Sequence, residues 1–449
     1  MTSPSHLSAL QAQITQLTAV RPVGRVVRVR AGTVEVAGLA AHARLGDWIK
    51  VRRMVGKPIM AEVVQLAGDR LIALPEEQPD GVALQDRAVH WGRGEIAPAD
   101  AWLGRIINPS GAPLDGKPLL GGAQARPLTA APPKAGARRD LGARLNTGLT
   151  VTDTFLPIVQ GQRVGLFAGS GVGKSSLLGA LAGQIDADVV VIAMIGERGR
   201  EVRHFVDTMI GEEGMARTVV IAATSDESPL QRRRCGWTGM AVAEHFRDQG
   251  KSVLFLADSI TRFAEAHREV AVAAGEAPVL RGYPPSTAHT IMALCERAGP
   301  GQEGQGDITA VFSVLVAGSD MEEPIADILR GVLDGHIVLD RAIAERGRYP
   351  AIDVLQSVSR SLPAAATDAE NALLQDARRL LAVYERNAVM IRAGLYAEGS
   401  DPELDQAIAL WPALDQYIAQ VSPQGCAHSF KQLELILRRA GSLRQTPRK

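Results

Sequence analysis

Cysteine is scarce in this chain of 449 residues: Cys235, Cys295 and Cys426 stand far apart, without metal-ligand spacing. An odd, scattered set excludes a disulfide framework or a zinc cluster and reads as reduced, buried cytosolic thiols. Aromatic residues are only 4% of the total, and residues 1–95 hold Trp48 and Trp91 but no Phe or Tyr. A platform for stacking nucleic-acid bases needs basic and aromatic residues together, so that class of partner is disfavoured. Lys+Arg and Asp+Glu both total 49, so no global charge points to nucleic acid or to an acidic membrane. No apolar run approaches the roughly 18 residues of a membrane span. The start, "MTSPSHLSALQAQITQL", lacks the basic and apolar blocks of a secretory signal.

What is present divides into regions, as a length above about 250–300 residues requires. Leu7, Leu10, Ile14 and Leu17 form an apolar stripe at helical spacing, with Ser, Gln and Thr opposite. Periodicity leaves two readings open: a helix folded onto its own domain, or one that docks on a partner. From Val23 to about Val82 apolar and polar residues alternate, as in "GRVVRVRAGTVEVAGL", with Ala31-Gly32 as a turn. This predicts small antiparallel β-structure, a barrel. Residues 108–147 are rich in Pro, Gly, Ala and Arg and read as irregular surface chain. From Arg163 to about Val358, unbroken apolar runs such as "DVVVIAMIG" and "SVLFLAD" alternate with helical segments. Strands of that kind are buried on both faces, which predicts a largely parallel sheet covered by helices. After Pro363 the pattern is helical.

The chemistry is concentrated around "LFAGSGVGKSS". A strand, a glycine-rich loop (Gly169, Ser170, Gly171, Val172, Gly173) and a helix opening with Lys174, Ser175 and Ser176 make a P-loop. Its backbone N–H groups and helix N-terminus converge on phosphate oxygens. Lys174 would reach the β- and γ-phosphates of ATP, and the Ser175 hydroxyl would ligate Mg²⁺. The first glycine of the usual pattern is Ala168 here, at the strand end, where it does not bear on phosphate binding. Asp258 ends the apolar run "VLFLADS", the position from which P-loop ATPases hold magnesium. Glu197, in "MIGERGREV", closes the run after the P-loop helix, where ligands of such sheets bind, and is the candidate base for water. Its bland alternative is a surface ion pair with Arg198.

With these motifs placed, the chain resembles the catalytic subunits of rotary ATP synthases and, more closely, the flagellar and type III secretion export ATPases. The likeness runs over nearly the whole length, through "GLFAGSGVGKS", "IGERGREV", "GEAPVLRGYPPS", "EPIADILRGVLDGHIVLDR" and "PAIDVLQSVSR". It implies an α/β fold with a RecA-like P-loop core (residues 96–363), an N-terminal β-barrel (21–95) and a C-terminal helical domain (364–449). Residues 1–20 become a helix that docks a dimeric regulator. Carried over by position, Glu197 polarises the attacking water, Arg198 lies near the γ-phosphate, and Glu201 and Asp258 join the magnesium water shell. Arg360 becomes an arginine finger for a neighbouring subunit, Tyr349 stacks on adenine, and Tyr396 closes the other side of that pocket. The bland alternatives are a structural ion pair for Arg360 and a core tyrosine for Tyr349. Non-catalytic rotary subunits carry glutamine at the Glu197 position, so this carboxylate implies an active enzyme.

The resemblance further implies a cytoplasmic Mg²⁺-dependent ATP hydrolase, peripheral at the inner face of the cytoplasmic membrane. It would work as a homohexamer with a coiled-coil stalk in its pore, receiving export chaperone–substrate complexes at a membrane export gate, with no nucleic acid. Alternatives are an injectisome ATPase or a rotary synthase catalytic subunit and, more distantly, a ring RNA translocase. Against the last, "QRRRC" is the only tight arginine run in the core, and reads as a solvated or subunit-contact face.

Overall fold

The computed structural model describes residues 20–443 apart from 31, 280 and 317–320. The N-terminal apolar stripe lies outside the described residues. Six antiparallel strands, Val23–Arg30, Thr33–Ala37, Asp47–Arg52, Ile59–Ala67, Arg70–Pro75 and Arg87–Arg93, close into a barrel. The alternation seen in the sequence sets their faces: Val26, Val34, Val36, Ile49, Val51 and Leu71 are buried inside. At the first hairpin Arg30 pairs with Thr33, and Gly32 takes φ +80°, which an L side chain resists.

The core is a nine-stranded sheet: eight strands in one path, and the short Gly299–Pro300 pairing antiparallel with Asp307–Leu315 off it. From one side its strands run Ile352–Ser359, Gly335–Leu339, Arg163–Ala168, Asp307–Leu315, Ser252–Asp258, Val189–Glu197, Thr218–Thr224 and Arg105–Ile107. All of these are parallel except Ile352–Ser359, which runs back along Gly335–Leu339. The apolar runs expected to be strands supply its centre, and nearly every residue in them is buried. Parallel pairing puts the carboxyl ends of Arg163–Ala168, Val189–Glu197 and Ser252–Asp258 along one edge of the sheet. Ala168, Glu197 and Asp258 therefore meet there although distant in sequence.

Residues 108–147 are mostly irregular, yet they are tied down. Arg138 and Arg139 reach the start of the sheet, Arg139 through an ion pair with Asp307. The C-terminal part folds as helices Asp368–Arg392, Pro402–Ile418 and Cys426–Leu443. The first begins with a capping box, Thr367 and Glu370 each bonding the other's backbone N–H.

The arginine run is where expectation and structure part. Arg233 and Arg234 are neither solvated nor on an outer face; they hold the barrel to the core. Arg233 donates to Glu62 of the barrel at 2.5 Å and lies over Trp237. Arg234 stacks 3.6 Å from the centroid of the barrel's Trp48. Arginine tolerates such partly dry contacts because its flat, weakly hydrated guanidinium pairs with carboxylates and stacks on rings. All three cysteines are buried and free.

Candidate active site

The P-loop leaves the strand Arg163–Ala168 and enters the helix Lys174–Gln184. Gly171 and Gly173 have φ of +77° and +92°, so these two positions need glycine. Ala168 is the last strand residue, its carbonyl bonded to Val316 N–H at 3.0 Å; the turn proper starts after it. The first N–H groups of the helix have no intrahelical partners and are the natural donors to an anion.

Lys174 sits between two carboxylates. Its Nζ hydrogen-bonds Asp258 Oδ1 and lies 3.5 Å from Glu197 Oε1. Asp258 is further fixed by Ser313, whose hydroxyl donates to Oδ1 at 2.7 Å. Glu197 closes its strand immediately after Gly196, at a register irregularity and with Gly196 at φ +70°. Such a bulge turns a terminal side chain into the cleft. A side chain on Gly196 would press on Arg262 and Arg232. Arg198 donates to Glu201 Oε1 at 3.0 Å.

Crowding shows in the titration of these groups. Burial, then the charge of Asp258, raises Glu197 to about 7, against a smaller opposing pull from Lys174. Glu201 is lowered, first by its hydrogen bond with Glu197 and then by Arg198. The pair therefore shares one proton near neutrality, chiefly on Glu197.

The P-loop residues Gly169–Gly171 and Gly173–Ser176, with Glu197, Arg198 and Glu201, line a cleft of about 680 Å³, within the usual range for small-molecule sites. Val172 is the exception in the loop, its side chain buried in the core. Arg232 and Arg262 also line the cleft, and sequence reasoning did not name either as a site residue. A signal existed: Arg262 stands four residues after Asp258, in the first turn of Ile260–Ala273.

Tyr349 is half exposed at the mouth of the loop. A methyl group built on Gly173 would come within 3.2 Å of its ring. Tyr396 does not line the cleft; it lies in the helical domain, its hydroxyl bonded to Asp405 Oδ1 at 2.7 Å. Arg360 is also outside. Ala168 pairs with Leu339 and Leu339 with Ile352, whereas Ser359 pairs with Gly335. Arg360 therefore follows the far end of an eight-residue strand, about 25 Å along the sheet from its own P-loop.

The donor set suits magnesium: Ser175, Glu201 and Asp258 offer oxygen alone, without sulfur or imidazole. Among the described residues no group of three or more His, Cys, Asp or Glu could hold a metal ion. Magnesium seldom needs such a cage, since it keeps waters and shares substrate phosphates.

Residues 148–359 match the nucleotide-binding domain of the ATP synthase alpha/beta family, and residues 366–434 match the C-terminal domain of the type III secretion ATPase EscN. The flagellum-specific ATP synthase of Caulobacter vibrioides is 44% identical over 422 residues, 92% of this chain and 95% of that protein. The chain belongs to this family. Another flagellum-specific ATP synthase, from Salmonella typhimurium, is 42% identical over 92% of this chain and 93% of its own length. Among solved structures, the assembled EscN of enteropathogenic E. coli superposes with a TM-score of 0.85 at 35% identity, covering 92% of this chain and 100% of that one. EscN in complex with its central stalk EscO gives 0.83. The chain is thus an ATPase of the flagellar and type III secretion branch, and the residues that line the cleft up to Leu315 fall within its nucleotide-binding domain.

Among the described residues no helix is long and apolar enough to cross a membrane.

Proposed function

We propose that the chain is the ATPase of a flagellar protein-export apparatus, cleaving ATP in a homohexameric ring. The placement of Arg360 carries this reading. An exposed arginine one strand length from its own P-loop cannot serve that loop, but in a ring it can complete the neighbour's. Lys174 and the loop N–H groups would orient the phosphates. Glu197, once ionised, accepts a proton from the attacking water, and Arg360 of the next subunit offsets the charge that develops. Magnesium, held by Ser175 directly and by Glu201 and Asp258 through water, would supply charge neutralisation on the β- and γ-phosphates.

Tyr349, half exposed against Gly173, is the wall for adenine; Tyr396 would complete the pocket only if the helical domain swings towards it. The stalk bound to EscN supports a coiled-coil partner in the pore. The N-terminal stripe would take a dimeric regulator, and the ring would work at the inner membrane face on chaperone–substrate complexes delivered to an export gate. An injectisome role is the second reading, favoured by the EscN match of the helical domain.

Mixing subunits tests the ring. Arg360→Ala and Lys174→Ala proteins should each be inactive alone and recover part of the activity together, because one mixed interface is intact. No recovery, with mixed rings shown to form, would reduce Arg360 to a structural role.

A further inference from the structure

The wall formed by Tyr349 has an unusual support. Tyr349 lies in the loop joining the short helix Arg341–Glu345 to the strand Ile352–Ser359. Beside it, the Arg348 side chain is only 8% exposed. Arg348 Nη2 donates to the carbonyl of Ile352 at 2.8 Å, closing the loop on itself. Its Nε lies 3.1 Å from Asp415 Oδ1, on the helix Pro402–Ile418 of the C-terminal domain. That contact is too poorly aligned for a hydrogen bond, and Nη1 has no partner. A cavity of about 360 Å³ opens beside the pair, lined by Arg346, Asp353 and Trp411 among others. Arg346 is also 4.0 Å from Asp415.

A buried guanidinium with unmet donors is a costly feature. A closed, apolar-filled joint would be the more stable solution. Here a charged link from the helical domain ends on the residue next to Tyr349, with room around it. The same link touches, through Ile352, the first residue of the strand that leads to Arg360.

We propose that Arg348 is a positioning residue for nucleotide binding: tied to Asp415, it holds Tyr349 against the P-loop, so the seating of the helical domain sets affinity for the base. This rests on the reading of Tyr349 as the adenine wall. The phosphate-binding groups and the catalytic carboxylates do not contact this pair, so the effect falls on binding of ATP and not on the rate of cleavage.

The test compares Tyr349→Ala, Arg348→Met and Asp415→Asn, reading KM for ATP, kcat, and inhibition by inorganic tripolyphosphate, which has no base. Tyr349→Ala should raise KM about 10-fold, as expected for loss of a base–aromatic stack. Arg348→Met and Asp415→Asn should each raise it about 3- to 5-fold, and the double variant no more than the larger single effect. In all of them kcat should stay within about twofold, and tripolyphosphate should inhibit as it does the wild type. Arg348→Lys, which keeps a cation for Asp415, should recover part of the affinity. Met is close in length to the arginine stem and suits a buried site, which favours folding of that variant. If Tyr349→Ala leaves KM unchanged, the adenine wall itself is wrong and the inference falls with it. If Tyr349→Ala raises KM while Arg348→Met and Asp415→Asn do not, the wall stands and the positioning role is overturned. A loss shared by tripolyphosphate or by kcat would likewise overturn it, as general damage to the core.

Discussion

At the carboxyl edge of the sheet, Lys174 faces Asp258 and Glu197, with Glu201 and Arg198 alongside. At the amino edge, Arg163 is held by both Asp334 oxygens at 3.1 Å and by Glu296, and Arg139 pairs with Asp307. Both edges use the same chemistry of carboxylates and cations in partly buried positions. They differ in completeness. At the amino edge the Arg163 guanidinium meets Asp334 fork to fork, two bonds at once, the geometry that gives strong pairs, and Arg139 adds a single bond to Asp307. At the carboxyl edge the carboxylates crowd one ammonium, and Glu197 is driven up to about 7. A fold that pairs its charges at one edge leaves them unbalanced at the other, where a triphosphate chain and its metal would enter. Perturbed groups of this kind collect at functional sites.

The contrast can be broken at its exception. Arg360 belongs by position to the amino edge, but among the described residues its guanidinium is bonded only to backbone, at Arg330 O. Arg360→Ala should lower kcat about 10³-fold, as for other trans-acting arginine fingers, with the melting temperature nearly unchanged. A stability loss without a rate loss would place Arg360 with its structural neighbours.

Glu197→Gln sharpens the contrast from the other side. The rate should fall about 100-fold or more, while binding of ATP persists; steady-state hydrolysis and equilibrium nucleotide binding separate the two. The same substitution should stabilise the nucleotide-free protein at pH 8, because it removes a carboxylate whose ionised form is disfavoured in the folded state.

The pH dependence has a definite sign. Glu197 must be ionised to accept a proton, so kcat should rise as pH increases through about 7, and this limb should vanish in Glu197→Gln. For stability the direction reverses. The folded state holds the Glu197 proton more tightly than the unfolded chain, so this group's contribution falls as pH rises from the ordinary carboxylate range to about 7 and then levels off. Melting of the nucleotide-free wild type and the variant, measured across pH 5–8, should converge at the acid end. Parallel curves would remove Glu197 as the titrating group.

The smallest effect is expected from Arg163→Met. It leaves Asp334 half-buried without its guanidinium partner, while Glu296 keeps Arg138; this should cost about 2 kcal/mol, read as a lower denaturant midpoint, with kcat unchanged. A large rate loss at equal stability would mean that the two edges are not functionally separate.

Much of this arrangement could be read from the chain. Apolar runs without alternation gave the buried parallel strands, and period two gave the barrel. The P-loop, Glu197 and Asp258 are legible because each lies at the end of such a run, and parallel pairing brings run ends together. Arg232 and Arg262 were not recognised as cleft residues, since an arginine on a helix carries no mark of which side it faces. The run at Arg232–Arg234 looked like solvated charge for the same reason. Only the docking of the barrel shows that Arg233 and Arg234 meet Glu62 and Trp48.

Local pattern and spacing determined the elements, their order and the glycine-rich loop, because backbone hydrogen bonding, glycine's access to positive φ and the period of apolar residues are properties of short segments. Tertiary structure decided the rest. It placed Arg360 at the edge away from its own P-loop, seated Tyr349 on Gly173, left Tyr396 bonded to Asp405, and crowded Glu197 until its proton is held near neutrality. Those outcomes depend on distance and dielectric between residues far apart in the chain, and neither quantity exists before the sheet, its helices and the barrel come together.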